Sequence, residues 1–187
     1  VLSGTYANQA CSVEACPPPA PAYQTDGLNF GPYKSGQFPG VQISNAQIKE
    51  RMSIIAPYTK AVRTFRSSSG EENDCMIAHE LGLKCYQGAW IGKDASANEI
   101  EIANLIQAGK NGYVDVAVVG SEVLLRGDQT ASVLIGYINQ VKTALPGIPV
   151  TTGDTYNSLI DNPQVIVACD LVFVNYYPFW EGYSINI

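Results

Sequence analysis

The chain has little positive charge: 11 Lys and Arg stand against 17 Asp and Glu in 187 residues, a net charge of -6 at pH 7. That balance offers no basic stripe for a phosphate backbone or an anionic lipid surface, so no nucleic-acid partner is expected. Long apolar runs are missing as well. No stretch approaches the roughly 18 to 20 residues that span a bilayer, and no membrane span is expected. There is one histidine, His79, and no C-x-x-C pair, which leaves a zinc site without a ligand set. His79-Glu80 opens like a zinc-protease motif, but no second histidine follows; His79 reads as an ordinary helix residue, and no metal is expected. The opening residues, Val1-Leu2-Ser3, show neither an initiator Met nor a signal-peptide pattern, as in a chain already processed or cut.

What is present suits one packed domain. The composition is 46% hydrophobic and only 15% charged, enough apolar material for a sizeable core. Residues 1 to about 25 differ from the rest: Cys11, Cys16 and Pro17-Pro18-Pro19-Ala20-Pro21 favour extended chain, and this part reads as a tail or linker before a domain spanning 26 to 187. The five cysteines, Cys11, Cys16, Cys75, Cys85 and Cys169, fit either an oxidising compartment with one thiol left over or plain buried residues. Cys11 with Cys16 and Cys75 with Cys85 are the plausible bridges.

From Gly27 onward, apolar strands alternate with amphipathic helices. A short strand within Gly27–Pro32 leads to a helix opening at Ser44, which forms a capping box with Gln47; Ile48, Met52 and Ile55 share its inner face, and Pro57 closes it. Further strands are predicted at Ala61–Phe65, Lys84–Ile91, Val114–Val119, Pro149–Gly153 and Leu171–Asn175. Helices are predicted from about Glu71 to Leu81, ended by Gly82, and from a Ser96/Glu99 capping box carrying Ile102, Leu105 and Ile106 inward. Leu134, Ile138, Val141 and Leu145 mark the next helix, stopped at Pro146-Gly147, and a shorter one covers Ser158 to Val167.

Six strand-then-helix units leave an open doubly wound sheet or a (β/α)8 TIM-type barrel. The turn after the first strand, Asn29-Phe30-Gly31-Pro32, carries no G-x-G-x-x-G phosphate fingerprint. Polar and aromatic residues instead gather at the C-terminal ends of strands: Asn29, Arg63, Trp90, Ser121, Glu122, Asp154, Tyr156, Asn175, Tyr177 and Trp180. Barrel active sites are assembled at that end, so the expected fold is α/β, a TIM-type barrel of which only about six βα units are present.

Glu122, in Gly120-Ser121-Glu122-Val123, follows a strand whose only other charge is Asp115. A carboxyl group there, beside apolar walls, would have the raised pKa that a general acid needs to protonate a glycosidic oxygen. The bland alternative is a Glu paired with Arg63 or Arg126 at the rim. The segment Asn175-Tyr176-Tyr177-Pro178-Phe179-Trp180-Glu181-Gly182 supplies flat apolar platforms with hydrogen-bonding edges, as sugar sites do; equally, these aromatics and Trp90 could only fill the rim.

Taken together, Val62-Arg63-Thr64, Gly82-Leu83-Lys84, Val119 to Arg126 and Val174 to Gly182 resemble glycoside hydrolase family 17 over residues 27 to 187. The resemblance implies a retaining (β/α)8 hydrolase or transglycosylase acting on β-1,3-glucan, extracellular or in the cell wall, without cofactor. It implies Glu122 as acid/base, and Asn175 and Tyr177 in the sugar site. Ser121 stands where an Asn is common in that superfamily, and Phe30 and Phe65 stand where many relatives place tyrosines. Retention needs a second carboxylate roughly 5 to 5.5 Å from the first. The family carries it on a seventh strand, and nothing after Asn175 matches, so the nucleophile is expected beyond residue 187. Two alternatives stay open: a barrel-derived assembly subunit whose open edges a partner chain or a second copy covers, and a carbohydrate-binding remnant.

Overall fold

The computed structural model describes residues 23–180 and Gly182. The expected tail and the Cys11–Cys16 bridge lie outside the described residues. Six strands run in chain order in one all-parallel sheet: β1 (Leu28–Asn29), β2 (Ala61–Arg63), β3 (Lys84–Ala89), β4 (Val116–Ser121), β5 (Val150–Thr155) and β6 (Phe173–Asn175). The helices are α1 (Asn45–Ile55), α2 (Asp74–Glu80), α3 (Ala95–Lys110), α4 (Ala131–Ala144), α5 (Tyr156–Asp161) and α6 (Pro163–Ala168).

The sheet curls. Tyr86 on β3 and Phe173 on β6 have ring centroids 5.9 Å apart. In a flat sheet the three intervening strand spacings would hold them about 14 Å apart. Gly27 to Asn29 at the β1 end and Val172 to Asn175 at the β6 end line one common hollow. The molecule is therefore a half-barrel, with α1 to α6 in the links between strands.

Its core lies between sheet and helices. Val62, Cys85, Ala117, Val119 and Val150 meet Ile48 and Met52 of α1, Ile102 and Leu105 of α3, and Leu134, Ile138 and Val141 of α4. Ser44 caps α1, accepting from the Gln47 N–H at 3.3 Å, but the return half of the expected capping box is not made: the Gln47 side chain donates to Pro32 O at 2.9 Å and bonds Gln37 instead. Cys75 on α2 and Cys85 on β3 form a disulfide, and Cys169 has no disulfide partner among the described residues.

Several boundaries differ from the sequence reading. β2 stops at Arg63 and β3 at Ala89, because the chain beyond turns onto the barrel rim. Glu71–Asn73 forms a 3-10 turn ahead of α2. The cap of α3 is Asp94, accepting from Ser96 and Ala97, rather than a Ser96/Glu99 box; a carboxylate two residues upstream reaches two free N–H groups. The single helix expected at Ser158–Val167 is two, since Pro163 cannot continue a helix but opens a new one at its first position.

Candidate active site

β4 is the strand that presents the candidate acid. Val118 pairs with Thr151 and Ser121 with Gly153, so three steps on β4 match two on β5. This β-bulge re-aims the strand end, as bulges beside active sites commonly do. Gly120 carries the bend at φ 80°, where an added Cβ would lie 2.4 Å from Val123 Cγ2. Glu122 follows at φ 55°, the left-handed region, which costs a non-glycine residue about 1–3 kcal/mol. Its N–H donates to Gly153 O at 2.7 Å, which fixes the turn against β5.

Glu122 is half-buried, and its Oε1 accepts from Asn175 Nδ2 at 2.7 Å. The pocket around it, about 230 Å³, is lined by Asn29, Arg63, Phe65, Trp90, Ser121, Glu122, Arg126, Asn175 and Tyr177. Five strand ends thus contribute: β1, β2, β3, β4 and β6. The walls are more polar than a purely apolar niche for the acid, with two arginines and two asparagines beside the rings of Phe65, Trp90 and Tyr177.

Arg63 crosses the interior. Its guanidinium carbon lies 4.9 Å from the Phe65 ring centroid and 5.2 Å from that of Phe173, and Nη2 donates to Ser121 Oγ at 3.2 Å. Gly153 lets it pass: a Cβ there would sit 2.5 Å from Nη2. Burial pushes the pKa of Arg63 down, while the nearby Tyr177 and Glu122 push it up. Arg126 reaches the Ser121 carbonyl, donates to Ile91 O at 2.7 Å, pairs with Asp128 at 2.7 Å and lies 4.2 Å from the Trp90 ring centroid. Among the described residues no salt bridge joins Glu122 to either arginine; Arg63 is spent on Ser121 and Arg126 on Asp128.

Seven of the ten expected site residues come together here. Asp154, Tyr156 and Trp180 do not line the pocket. Asp154 is fully buried, accepting from Leu124 N at 2.9 Å and from Thr155 N at 2.8 Å. Tyr156 opens α5 and packs on Tyr176, 5.3 Å between centroids. Trp180 stands 83% exposed against Phe179. Two lining residues were absent from the expected set, Phe65 and Arg126. A signal for the second existed: Arg126 lies one helical turn beyond Glu122, and Arg126 N–H donates to Glu122 O at 2.9 Å. Among the described residues no group of His, Cys, Asp or Glu is placed to hold a metal ion.

Residues 27–186 match the family model of the BtgE/BtgC glycoside hydrolase domain. The chain belongs to that family. Its half-barrel superposes on the glycoside hydrolase family 17 β-1,3-glucanosyltransferase of Rhizomucor miehei with TM-score 0.71 at 32% identity, covering 87% of this chain and 60% of that one. An active-site mutant of the Rhizomucor miehei β-1,3-glucanosyltransferase, in complex with laminaritriose, gives TM-score 0.69 at 33% identity, with 84% and 59% covered. Glucan 1,3-β-glucosidase BGL2 of Candida albicans is 28% identical over 150 residues, 71% of this chain and 49% of that protein. The chain spans about half the length of the curated relatives it matches. The family-17 resemblance and the partial TIM-type barrel expected from sequence are both borne out. No helix among the described residues is long and apolar enough to cross a membrane.

Proposed function

We propose that this chain supplies the acid/base half of a retaining glycoside hydrolase acting on β-1,3-glucan. The observation that carries the reading is Glu122 itself: a carboxylate held in left-handed backbone at a bulged strand end, bonded to Asn175 and facing the Phe65 and Trp90 rings. A strained conformation at the mouth of a barrel strand persists where the surroundings over-determine it, and such positions cluster at active sites. The relatives named above are β-1,3-glucosidases and glucanosyltransferases by their own descriptions.

In the proposed mechanism Glu122 protonates the leaving glycosidic oxygen, then as a carboxylate activates the water or acceptor sugar that resolves the glycosyl intermediate. Asn175, donating to Oε1, fixes the carboxyl rotamer and leaves Oε2 for the proton transfer. The second carboxylate is assigned to the portion of the relatives' length that this chain does not cover. The buried Cys75–Cys85 bridge suits an oxidising compartment, and we place the protein outside the cell or in the cell wall.

The test is sugar release from a β-1,3-glucan by the full-length protein and its Glu122→Gln variant. Loss of proton donation should cut turnover by about 10²–10⁴-fold. Undiminished turnover in the variant would remove Glu122 from the chemistry; tight glucan binding without turnover in the wild type would favour the carbohydrate-binding alternative.

A further inference from the structure

The chain between β2 and α2 is fastened by side chains that come from other elements. Glu101 on α3, 3% exposed, accepts from Ser67 N at 2.6 Å and Trp90 N at 3.0 Å, clamping together the chain beyond β2 and the chain beyond β3. Gln87 on β3 donates through Nε2 to Arg66 O at 2.6 Å and to Glu71 O at 3.2 Å. Phe65 and Trp90, both in the lining of the Glu122 pocket, stand on these two pieces of chain.

Asp74, which opens α2, adjoins this network and takes no part in it. It is fully buried, and neither of its carboxyl oxygens has a hydrogen-bond partner among the described residues. Gln87 Oε1 is another sealed acceptor without a donor. The charges that bear on Asp74 share its sign: Glu71 and Glu72, in the turn just before it. Among the described residues Asp74 has no ion-pair partner. Arg66 lies 3.4 Å from Glu101, Lys49 of α1 pairs with Glu80 at the other end of α2, His79 pairs with Asp115, and Lys84 at the start of β3 is exposed. A sealed carboxylate without donors or a counter-charge is strongly disfavoured against its neutral form. Burial, reinforced by Glu71 and Glu72, holds the Asp74 carboxyl well above the usual carboxylate range.

Once the proton leaves, the charge must reach water or move away from Glu71 and Glu72. The α2 side cannot yield, because Cys75, the next residue, is bonded to Cys85 of β3. The side that can yield is the Glu71–Asn73 turn and the chain before it, which the Gln87 and Glu101 hydrogen bonds hold in place.

We propose that Asp74 is a pH-operated catch: protonated, it lets residues 66–73 lie against the sheet, and on ionising it releases that segment and with it the Phe65 and Trp90 wall of the Glu122 pocket. The catch is independent of the role assigned to Glu122.

The sign follows from proton binding. An unfolded Asp loses its proton near pH ~4, whereas folded Asp74 keeps it to a higher pH. In between, the folded state binds one proton more, so stability is full below about pH 4 and falls as pH rises, by up to about tenfold in the folding constant per pH unit, until Asp74 ionises.

Hydrogen exchange read by mass spectrometry, on wild type and Asp74→Asn from about pH 5 to about pH 9, tests the catch. Wild-type protection over residues 66–73 should be lower than over α4, and should fall by up to about tenfold per pH unit relative to the variant. The same pH course in both proteins overturns the proposal. Protection over 66–73 equal to that over α4 also overturns it, since the segment then opens only with the whole molecule. If Asp74→Asn does not fold, the protons released on urea unfolding of wild type near neutral pH decide. About one per chain is expected. Burial pushes Glu71 up as well, so the release must persist in Glu71→Gln; no release, or release lost in Glu71→Gln, overturns the catch.

Discussion

The rim after β4 and the rim after β6 both carry candidate functional side chains, yet they are built in opposite ways. Around Glu122 the backbone is tied at Gly153 O and at Asp154 Oδ2, and Arg126 joins the Ser121 and Ile91 carbonyls, Asp128 and the Trp90 ring. After Asn175, Tyr177 is 45% exposed, Phe179 86% and Trp180 83%; Phe179 and Trp180 pack on each other, and Tyr176 packs on Tyr156. The proposed function would account for the difference. A proton donor misplaced by about 1 Å loses much of its effect, which calls for redundant support, whereas a stacking platform needs open area.

Breaking the first rim should show how its redundancy is distributed. Asp154→Ala should have the largest effect, about 3 kcal/mol lost in urea unfolding, because it leaves the Leu124 and Thr155 N–H groups buried without an acceptor. A loss below about 1 kcal/mol would mean that the β4 rim does not depend on this carboxylate. Gly120→Ala should cost about 2 kcal/mol, since alanine must take φ 80° with its Cβ against Val123; a silent substitution there would show that the bulge can relax. Arg126→Lys keeps the charge but loses the planar fork and most of the stacking on Trp90. It should cost about 1 kcal/mol and, in a Trp180→Phe background, shift the emission of Trp90 to the red; unchanged emission would show that the ring's environment does not depend on Arg126.

Much of this architecture is legible in the sequence because it is periodic. The β4 run Val116-Ala117-Val118-Val119 and the α4 face Leu134, Ile138, Val141 follow from hydrophobicity alone, and all but the half-buried Val116 are buried as expected. The curl of the sheet is not periodic; the pile-up of polar residues at strand ends, the missing phosphate fingerprint and the family resemblance pointed to it. Asp154 shows where such reading stops. With β5 taken to end at Gly153, Asp154 looks like the first residue of the mouth. β5 in fact runs on to Thr155, and the pleat sends Asp154 to the side opposite Gly153, which faces Arg63 inside the barrel. A two-residue error in a strand end therefore turned a supporting carboxylate into an expected ligand contact. The bulge was equally hidden, since Gly120-Ser121 announces a turn but not a register shift against β5. Phe65 and Trp90 sit beyond their strands, in chain that turns back across the rim through Glu101, a long-range contact with no local signature.

The second rim makes the smallest prediction for stability and the sharpest for the comparison. Trp180 is exposed and touches Phe179, so Trp180→Ala should leave the unfolding free energy within about 0.5 kcal/mol of wild type. If the segment is a sugar platform, the same substitution should weaken β-1,3-oligosaccharide binding by a few-fold, the scale of one aromatic contact of about 0.5–1.5 kcal/mol. Calorimetric titration beside urea unfolding separates the two quantities. A change in binding with none in stability would assign the β6 rim to ligand recognition and the β4 rim to geometry. A substantial loss of stability would instead mean that Phe179 and Trp180 pack as structure, and the contrast between the rims would reduce to a difference in burial.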